Sequence, residues 1–453
     1  MNINQNIFKA YDIRGVYPDQ INEEVAYKIG QAYLRVIDPK GPIAVGMDVR
    51  IHSKALKEAL VEGLLDGGAD VIDLGLISTE MLYFAVGNYG LQGGIQVTAS
   101  HNTAEYNGFK MTRAKAFPIS SETGMFEMRD LIIEDKESIK KERGSLENKD
   151  VLDDFARFVV NFIDKEKIKP FRIGYNPSFG FEGVVLERVR DIGRFQFDLV
   201  GMDHIPDGSF PKGSPDPFRI ENRSEFVEFI KKSNVDIGVA WDADADRVFF
   251  CTGSGKFIEP YYTNAILIKQ ILEKNGGGKI IYDPRYIWAL VDAAKEAGGE
   301  AIMERVGHSF IKARMKEEDA IFSGESSGHT YFRDFWYADS GIIPLLMILE
   351  IISSGQSFEE LLKPLFSKYF ISGEINTKVD DKERVFKELK EKYSDGEFSE
   401  IDGLCIEFDS WRASIRASNT EPLMRVNVEG KTQEIVDQKK EEIMQILKEE
   451  DPQ

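Results

Sequence analysis

Residues 279–322 read KIIYDPRYIWALVDAAKEAGGEAIMERVGHSFIKARMKEEDAIF, and this stretch decides the fold class. Short apolar runs alternate in it with segments that have the spacing of amphipathic helices. The predicted strands cover residues 279–282, 300–305 and 320–322, and the predicted helices cover residues 287–297 and 309–316. Alternation of this kind predicts a sheet that contains parallel strands and carries helices on its faces.

The same alternation of strand and helix occurs twice earlier in the chain. Strands are predicted at 42–49, 70–75, 171–175 and 236–240, and helices at 53–65 and 183–191. The C-terminal region differs, because strands at 406–408 and 423–428 precede one amphipathic helix at 432–447, which indicates an α+β domain. Parallel sheets bind ligands at the carboxyl ends of their strands, so we expect the chemistry in the loops that follow them.

Length and charged segments together predict four domains. A chain of 453 residues is too long for one compact core. Polar, charged stretches at 134–153, 251–255 and 368–375 mark the expected joins. We therefore expect three α/β domains followed by an α+β domain, with the bounds 1–148, 149–251, 252–368 and 369–453.

Composition restricts the possible partners and the cellular compartment. The formal net charge of −20 disfavours nucleic acid and anionic membranes as partners. The longest apolar run, residues 342–352, is too short to span a bilayer, and the first residues lack the pattern of a secretory signal. Two cysteines argue against a disulfide framework, so we expect a cytoplasmic protein.

Residues 97–110, VTASHNTAEYNGFK, contain a candidate nucleophile. Ser100 and His101 follow a short apolar run directly, and Lys110 ends the segment. A serine at a junction of strand and loop, surrounded by donors and a cation, suits a nucleophile that carries negative charge. We interpret the whole segment as a loop with a tight turn at Gly108.

A second loop contains the acidic residues Asp242, Asp244 and Asp246. Carboxylates at this spacing can converge on one hard cation such as Mg²⁺, although a solvated acidic turn is the plain alternative. The apolar run at 237–241 would partly bury the loop, and buried neighbouring carboxylates repel one another unless a cation is bound. A calcium-binding EF-hand is excluded, since its required glycine and glutamate positions hold other residues. Arg247 follows the acids and can pair with a phosphate.

Three further loops have ambiguous signals. The loop at 323–329, SGESSGH, suits the recognition of sugar hydroxyls, but a simple turn is equally consistent with it. The segment at 412–422, RASIRASNTEP, can wrap a phosphate or can simply begin a helix. The turn at 307–309 can likewise be a helix cap. Residues 276–279 lack the residues of a nucleotide-binding P-loop, so ATP is not indicated.

Taken together, these loops make the chain closely similar to the α-D-phosphohexomutases, in particular to their phosphomannomutase/phosphoglucomutase branch. The resemblance covers essentially the whole length and is carried by residues 8–15, 98–110, 210–222, 242–247, 324–329 and 416–422. It implies four domains around a central cleft, three of which share a mixed α/β sheet plan while the C-terminal domain is α+β.

The resemblance also implies roles for individual residues. Ser100 would be phosphorylated in the active enzyme and would bind Mg²⁺ together with Asp242, Asp244 and Asp246. The surroundings of the phosphoserine would be formed by Arg14, Lys110, Arg247, Tyr11 and His101. The substrate would be bound by Glu325, Ser327, Arg416, Ser418, Asn419, Thr420 and Arg425. His308 and His329 match the histidine-bearing loops of the family, and we expect His329 to transfer the proton.

The implied activity is a reversible phosphoryl transfer between C1 and C6 of a mannose or glucose phosphate. It would proceed through phosphoserine and a hexose 1,6-bisphosphate, with Mg²⁺ as cofactor and the bisphosphate as activator. A phosphoglucosamine mutase, a metal-dependent sugar phosphate phosphatase and a non-catalytic sensor are the alternatives, and a phosphatase would not need the second phosphate-binding segment at 416–420. We expect hexose phosphates as partners, no nucleic acid or membrane partner, and a monomer or weak dimer.

Overall fold

A computed structural model of the chain describes residues 3–134, 141–379, 381–417 and 423–448. The chain divides into two compact units. The first unit comprises Met1–Ile258 and Ser327–Gln356, and the second comprises Glu259–Ser326 and Ser357–Gln453.

The first sheet has six strands and is mixed. Its strands are β1 (Ile13–Val16), β2 (Ile43–Met47), β3 (Val71–Leu76), β4 (Gly93–Val97), β5 (Tyr106–Arg113) and β6 (Leu146–Asn148), and the helices of this region are α1 (Glu23–Ile37), α2 (Ser53–Asp66), α3 (Thr79–Asn88) and α4 (Phe126–Ile133). The spatial order is β1-β5-β4-β2-β3-β6. Strand β2 runs parallel to β3 and β4, whereas β5 runs antiparallel to both β4 and β1. Ser100 lies three residues beyond the carboxyl end of β4.

The predicted turn at Gly108 is wrong, because this glycine lies inside β5. Gly108 pairs with Arg14 of β1. A Cβ atom at Gly108 would lie only 2.0 Å from the backbone oxygen of Ile13, so glycine is needed here for the close approach of two strands. The pairing of β5 with β1 therefore overrides the local turn signal of Asn107 and Gly108, and Lys110 becomes a strand residue.

Helices α1 and α2 pack tightly through Gly63. A Cβ atom at this position would lie 2.3 Å from the backbone oxygen of Tyr27. We expect Gly63→Ala to lower the free energy of unfolding by about 2 kcal/mol, because overpacking against backbone outweighs the gain in helix propensity. Urea unfolding measures the change. The control is Glu58→Ala, at an exposed position on the same helix, which should change stability by less than about 0.5 kcal/mol; an unchanged or raised stability of Gly63→Ala would contradict the close packing.

The second sheet is built around a buried hairpin. Its region contains α5 (Leu152–Val160), β7 (Phe171–Asn176), α6 (Glu182–Gly193), β8 (Phe197–Gly201), α7 (Ile220–Ser233), β9 (Ile237–Trp241), β10 (Val248–Thr252) and β11 (Phe257–Ile258). The order is β11-β10-β9-β7-β8, in which β7 runs parallel to β8 and β9. Strands β9 and β10 pair antiparallel and are buried throughout. The acidic loop is the turn of this hairpin, which explains why it is buried.

The third region belongs partly to each unit. In the second unit it forms α8 (Pro260–Asn275), β12 (Gly278–Tyr282), α9 (Trp288–Glu296), β13 (Gly299–Met303), α10 (His308–Glu318) and β14 (Phe322–Gly324), and in the first unit β15 (Thr330–Phe332), β16 (Ala338–Asp339) and α11 (Ile342–Ser353). Strand β12 runs parallel to β13 and β14. The strand expected at 320–322 begins only at Phe322, because Ala320 still donates a hydrogen bond to the Met315 oxygen and closes α10.

The C-terminal region has the predicted α+β character. It contains α12 (Phe358–Lys368), β17 (Phe370–Ile371), β18 (Ile375–Lys378), α13 (Lys382–Lys392), β19 (Glu397–Ser399), β20 (Leu404–Glu407), β21 (Trp411–Ala417), β22 (Leu423–Gly430) and α14 (Gln433–Lys448). The sheet order is β17-β22-β21-β20-β19, and β18 also pairs with β22. These strand pairs are all antiparallel. Apolar residues of the sheet and of α13 and α14 form its core.

Two predictions about the chain as a whole concern membrane segments and cysteines. Within the described ranges, no single helix is long and apolar enough to cross a membrane. Helices α11 and α12 pass that test only when they are taken together, by length and composition. Cys251 and Cys405 are free thiols and both are buried.

Candidate active site

Ser100 lies at the end of β4 with a strained backbone. Its φ of 49° falls in the left-handed region, and only 2% of the residue is exposed. Its hydroxyl donates to Asp242 Oδ2 at 2.9 Å and lies 3.2 Å from Nδ1 of His101. The backbone N–H of Ser100 is held by Thr98 Oγ1 at 2.9 Å. The hydroxyl is therefore fixed between a carboxylate and an imidazole.

Two histidines of the first unit have distinct surroundings. Burial lowers the pKa of His101 well below its usual range, and the charges of Arg247 and Arg14 lower it further, so this ring is neutral at neutral pH. His329 Nδ1 lies 3.1 Å from Asp339 Oδ2 and 3.9 Å from Asp246 Oδ1. A carboxylate on one ring nitrogen favours the proton there and leaves the other nitrogen as a possible acceptor.

The three acids of the β9–β10 turn converge. Asp242 and Asp244 are 0% exposed and Asp246 is 3% exposed, and one oxygen from each lies within 4.8 Å of the others. Burial, opposed by Arg247 and reinforced by Asp246 and Asp244, raises the pKa of Asp242 to about 7. Oδ1 of Asp244 and Oδ1 of Asp246 are buried and have no hydrogen-bond partner among the described residues. Such oxygens fit a hard divalent cation, so this buried acidic site could hold a metal ion.

Two cations already pair with these acids. Lys110 Nζ lies 2.6 Å from Asp244 Oδ2 and also contacts Asp246. Burial alone lowers the pKa of Lys110, but the charges of Asp244 and Asp246 outweigh it and hold the pKa above its usual value. Arg247 Nε donates to Asp242 Oδ2 at 2.9 Å. Lys110 and Arg247 therefore offset part of the negative charge of the three acids.

Arg247 and Arg14 are oriented by other acids. Arg247 Nη1 lies 3.4 Å from Asp216, and its Nη2 is buried without a hydrogen-bond partner in the described part of the chain. Arg14 donates to Asp12 at 2.7 Å and to Asn102 at 2.7 Å. A guanidinium held on one edge by a carboxylate presents its remaining N–H groups in a geometry that suits a phosphate.

The remaining predicted residues of the first unit lie beside this cluster. Tyr11 acts electrostatically on Arg14. Ser327 precedes Gly328, whose carbonyl accepts a hydrogen bond from Val248 N at 3.1 Å. Val248 is the first residue of β10 after the acidic loop, so Ser327 is connected to the same hairpin.

A separate arginine cluster lies in the second unit. Arg416 Nη2 lies 3.3 Å from Glu374, Arg425 Nη1 lies 3.5 Å from it, and Arg285 Nη1 lies 4.0 Å from it. Burial and the neighbouring charge of Arg285 lower the pKa of Arg416, although Glu374 opposes this shift. Three guanidinium groups thus converge on one carboxylate, and the N–H groups of guanidinium suit a phosphate.

Arg285 also holds the predicted sugar-binding acid. Its Nε donates to Asp283 Oδ1 at 2.9 Å, and its Nη2 donates to Glu325 Oε2 at 3.3 Å. The backbone N–H of Ser326 donates to Asp283 Oδ2 at 3.0 Å, which ties the 323–329 loop to the end of β12. Glu325 is therefore positioned by two residues that sequence reasoning did not select.

Of the other site residues predicted in the second unit, the structure describes only His308. His308 is the first residue of α10. The nearby Val306 N donates to Asp402 at 3.3 Å, and Asp402 lies 3.9 Å from Arg416 Nη1, so the turn before His308 lies beside the arginine cluster. Ser418, Asn419 and Thr420 lie outside the described residues.

Comparison with known proteins identifies the family. Models of the phosphoglucomutase/phosphomannomutase alpha/beta/alpha domains I, II and III match residues 5–138, 152–255 and 259–369, and the model of the C-terminal domain matches residues 374–446. The chain belongs to the phosphoglucomutase/phosphomannomutase family. The predicted family resemblance and the four-domain α/β fold class are thereby confirmed.

Individual relatives support the same assignment. A Xanthomonas campestris protein named phosphohexose mutases is 42% identical over 93% of this chain and 94% of its own length. The phosphomannomutase of Vibrio cholerae is 40% identical over 97% of this chain and 98% of its own length. The crystal structure of a phosphoglucomutase/phosphomannomutase family protein from Burkholderia thailandensis superposes with a TM-score of 0.88 at 30% identity and covers 98% of both chains. This phosphohexomutase is therefore an isomerase that transfers a phosphoryl group within hexose phosphates, as predicted.

Sequence reasoning missed two arginines of the mutase that follow strands β2 and β12. Arg50 and Arg285 each stand two residues after an aspartate at the carboxyl end of a predicted strand. That position was the available signal, since ligand sites are expected there. Asp339 and Glu374 had no comparable local signal.

Proposed function

We propose that Ser100 carries the phosphoryl group of this phosphohexomutase and that the acidic loop binds Mg²⁺ beside it. The observation that carries this proposal is the 2.9 Å contact between Ser100 Oγ and Asp242 Oδ2 inside a buried group of cations and carboxylates. The proposed reaction moves the phosphoryl group reversibly between C1 and C6 of mannose phosphate and glucose phosphate.

Asp242, Asp244 and Asp246 would hold the Mg²⁺ together with an oxygen of the serine phosphate. The donors are all oxygens, and two of them are the unpartnered buried atoms of Asp244 and Asp246. Oxygen ligands of this kind suit Mg²⁺. When bound, the ion would offset charge on the transferring phosphoryl group.

Several side chains would take part in the phosphoryl transfer. The bond between phosphorus and Ser100 Oγ breaks while a bond forms between phosphorus and the free hydroxyl oxygen of the sugar, giving a hexose 1,6-bisphosphate. We assign removal of the hydroxyl proton to His329, whose ring is held by Asp339. Lys110, Arg14 and Arg247 would stabilise the charge on the phosphoryl group. After the bisphosphate turns around, the bond between its other phosphorus and the sugar oxygen breaks as a bond to Ser100 Oγ forms, and the released sugar oxygen takes the proton back from His329.

A second phosphate site distinguishes a mutase from a phosphatase. The bisphosphate must be retained between the two transfers, so one phosphate needs a binding site of its own. We assign it to Arg416 and Arg425, together with Ser418, Asn419 and Thr420 outside the described residues. Glu325 and Ser327 would bind the sugar hydroxyls. The convergence of Arg416 and Arg425 on Glu374 supports this assignment.

Arg416→Ala should weaken substrate binding without disturbing the metal. Loss of one charge-assisted contact to phosphate costs about 2 kcal/mol, so we expect a roughly 30-fold rise in the KM for glucose 1-phosphate. Steady-state kinetics measures KM, and titration with Mg²⁺ measures metal affinity. The matched control is Arg384→Ala on α13, whose guanidinium pairs with Glu388 one helix turn away, and it should leave KM unchanged. A loss of Mg²⁺ affinity with an unchanged KM would contradict the two-site model.

The proposed activity is tested by comparing substrates. Turnover of mannose 1-phosphate, glucose 1-phosphate and glucosamine 1-phosphate is measured with Mg²⁺ and a trace of hexose 1,6-bisphosphate. We expect the first two to be converted faster than the third. Faster conversion of the glucosamine phosphate would identify a phosphoglucosamine mutase, and release of inorganic phosphate at the rate of isomerisation would identify a phosphatase.

We also infer a cytoplasmic protein that is a monomer or weak dimer and binds neither nucleic acid nor membranes. The net charge of −20 and the presence of only two cysteines support this inference. Sedimentation equilibrium measures the oligomeric state, and a stable tetramer would contradict it.

A further inference from the structure

Arg50 is a buried arginine whose guanidinium group binds the loop that carries Ser100. It is 2% exposed and follows strand β2. Its two terminal nitrogens donate to four backbone carbonyls of the loop: Nη2 to Ser100 and Asn102, each at 2.6 Å, and Nη1 to Thr103 at 2.7 Å and Tyr106 at 2.9 Å. One side chain thus donates to three carbonyls of the turn between β4 and β5 and to the carbonyl of the first residue of β5.

Arg50 is itself held rigidly. Its Nε donates to Asp48 Oδ2 at 3.1 Å, and its backbone N–H donates to Asp48 Oδ1 at 3.0 Å. Ser53 Oγ donates to the same carboxylate at 2.6 Å. On one face the guanidinium carbon lies 4.9 Å from the ring centroid of Phe210. All of the neighbours that fix Arg50 lie outside the loop that it binds.

The loop needs such a partner for two physical reasons. Carbonyls that are removed from water need hydrogen-bond donors, and the loop's own bonds, Asn102 N to Ala99 O and Tyr106 N to Thr103 O, do not reach the carbonyls of Ser100 and Asn102. Ser100 also adopts the left-handed φ of 49°, which costs an ordinary residue about 1–2 kcal/mol. A planar guanidinium can reach several carbonyls at once, whereas a lysine ammonium cannot match that geometry.

We propose that Arg50 is the positioning residue that holds Ser100 in the geometry for phosphoryl transfer. The proposal deepens, and rests on, the proposed role of Ser100 as the phosphoryl carrier. Arg50 acts through the backbone of the loop, so its loss should affect the rate of transfer and not the binding of the sugar phosphate. Displacement of a reacting group by about 1 Å can slow a reaction by roughly 100-fold.

The test compares Arg50→Lys with Arg113→Lys. Arg113 belongs to the end of β5, and its guanidinium also donates to a backbone carbonyl, that of Thr123, away from the serine loop. For Arg50→Lys we expect kcat to fall by about 100-fold while the KM for glucose 1-phosphate changes by less than about threefold. The rate at which Ser100 accepts a phosphoryl group from glucose 1,6-bisphosphate, followed by intact mass, should fall in parallel. Arg113→Lys should change none of these quantities by more than about twofold.

Several outcomes overturn the proposal. A kcat of Arg50→Lys close to that of the unmodified protein would do so, and so would equal losses in both variants, which would indicate a general loss of stability. If Arg50→Lys does not fold, Asp48→Asn keeps the guanidinium but loosens its support, and it should lower kcat with little change in KM. An unchanged kcat of a folded Asp48→Asn would then overturn the proposal.

Failure of the proposed function is recognised separately. Peptide mapping of the unmodified protein after incubation with the bisphosphate shows whether Ser100 is the labelled residue. Absence of label on Ser100 refutes the carrier role. Label on Ser100 that appears at the same rate in Arg50→Lys refutes only the role of Arg50.

Discussion

Replacement of Ser100 by alanine is expected to reduce turnover of glucose 1-phosphate by at least about 10⁴-fold, to the background of the assay. The serine oxygen is the atom that would bind the phosphoryl group between the two transfers. It is buried between Asp242 and His101, and alanine offers no atom that could replace it. A coupled assay for glucose 6-phosphate measures the loss.

Binding should survive this substitution, because the arginine cluster around Glu374 is unchanged. Calorimetric titration of Ser100→Ala with glucose 1-phosphate should give a Kd within about threefold of the unmodified protein, as expected when a group acts only in the transition state. Ser224→Ala is the control, since that exposed serine donates to Ile220 O of its own helix. Full activity of Ser100→Ala would falsify the covalent mechanism.

Removal of the metal should have the second largest effect. Dialysis against a chelator is expected to lower kcat by about 10³-fold, and addition of Mg²⁺ should restore it, because the ion would supply several kcal/mol of charge stabilisation. Asp244→Asn should raise the Mg²⁺ concentration required for half-maximal activity. The physical reason is that it removes one of three converging carboxylate charges.

The matched control for the metal site is Asp198→Asn. This aspartate lies on β8 and pairs at the surface with Arg172, so the Mg²⁺ requirement should stay unchanged. A chelated protein that keeps full activity, or an Asp244→Asn protein with the original Mg²⁺ requirement, would refute the assignment of the acidic loop.

Part of the fold could be predicted because the chain's short-range patterns agree with its packing. The apolar run at 237–241 predicted that the acidic loop is partly buried, and the loop is indeed the turn between two buried strands. The turn predicted at Gly108 was wrong because the local pattern there disagrees with the packing. Its conformation depends on β1, which lies far away in sequence, and Asn-Gly alone does not reveal that partner.

The unpredicted parts of the candidate site share one property. Arg50 binds carbonyls about fifty residues later in the chain, and Glu374 meets Arg416 across a separation of 42 residues. Periodicity and local motifs report on neighbours within one strand or helix turn, so they cannot show such partners. The roles of the predicted site residues remain predictions until the variants are measured.

The cations of the proposed site are concentrated within a chain that is acidic overall. A protein with a net charge of −20 that binds phosphates must concentrate its cations at the site. Arg14, Lys110 and Arg247 are indeed placed together near Ser100, but each is paired with at least one carboxylate. The cations are therefore held in place by acids, which reduces their mutual repulsion.

The contacts around Asp244 determine which parts of the chain the proposed site needs. Thr79 and Lys110, from the six-stranded sheet region, both bind Asp244 in the hairpin of the second sheet, and Ser100 binds the neighbouring Asp242. Lys110 and Ser100, which are proposed to act on the phosphate, thus also join the two sheets. A fragment that contains either sheet alone would therefore carry only half of the proposed site.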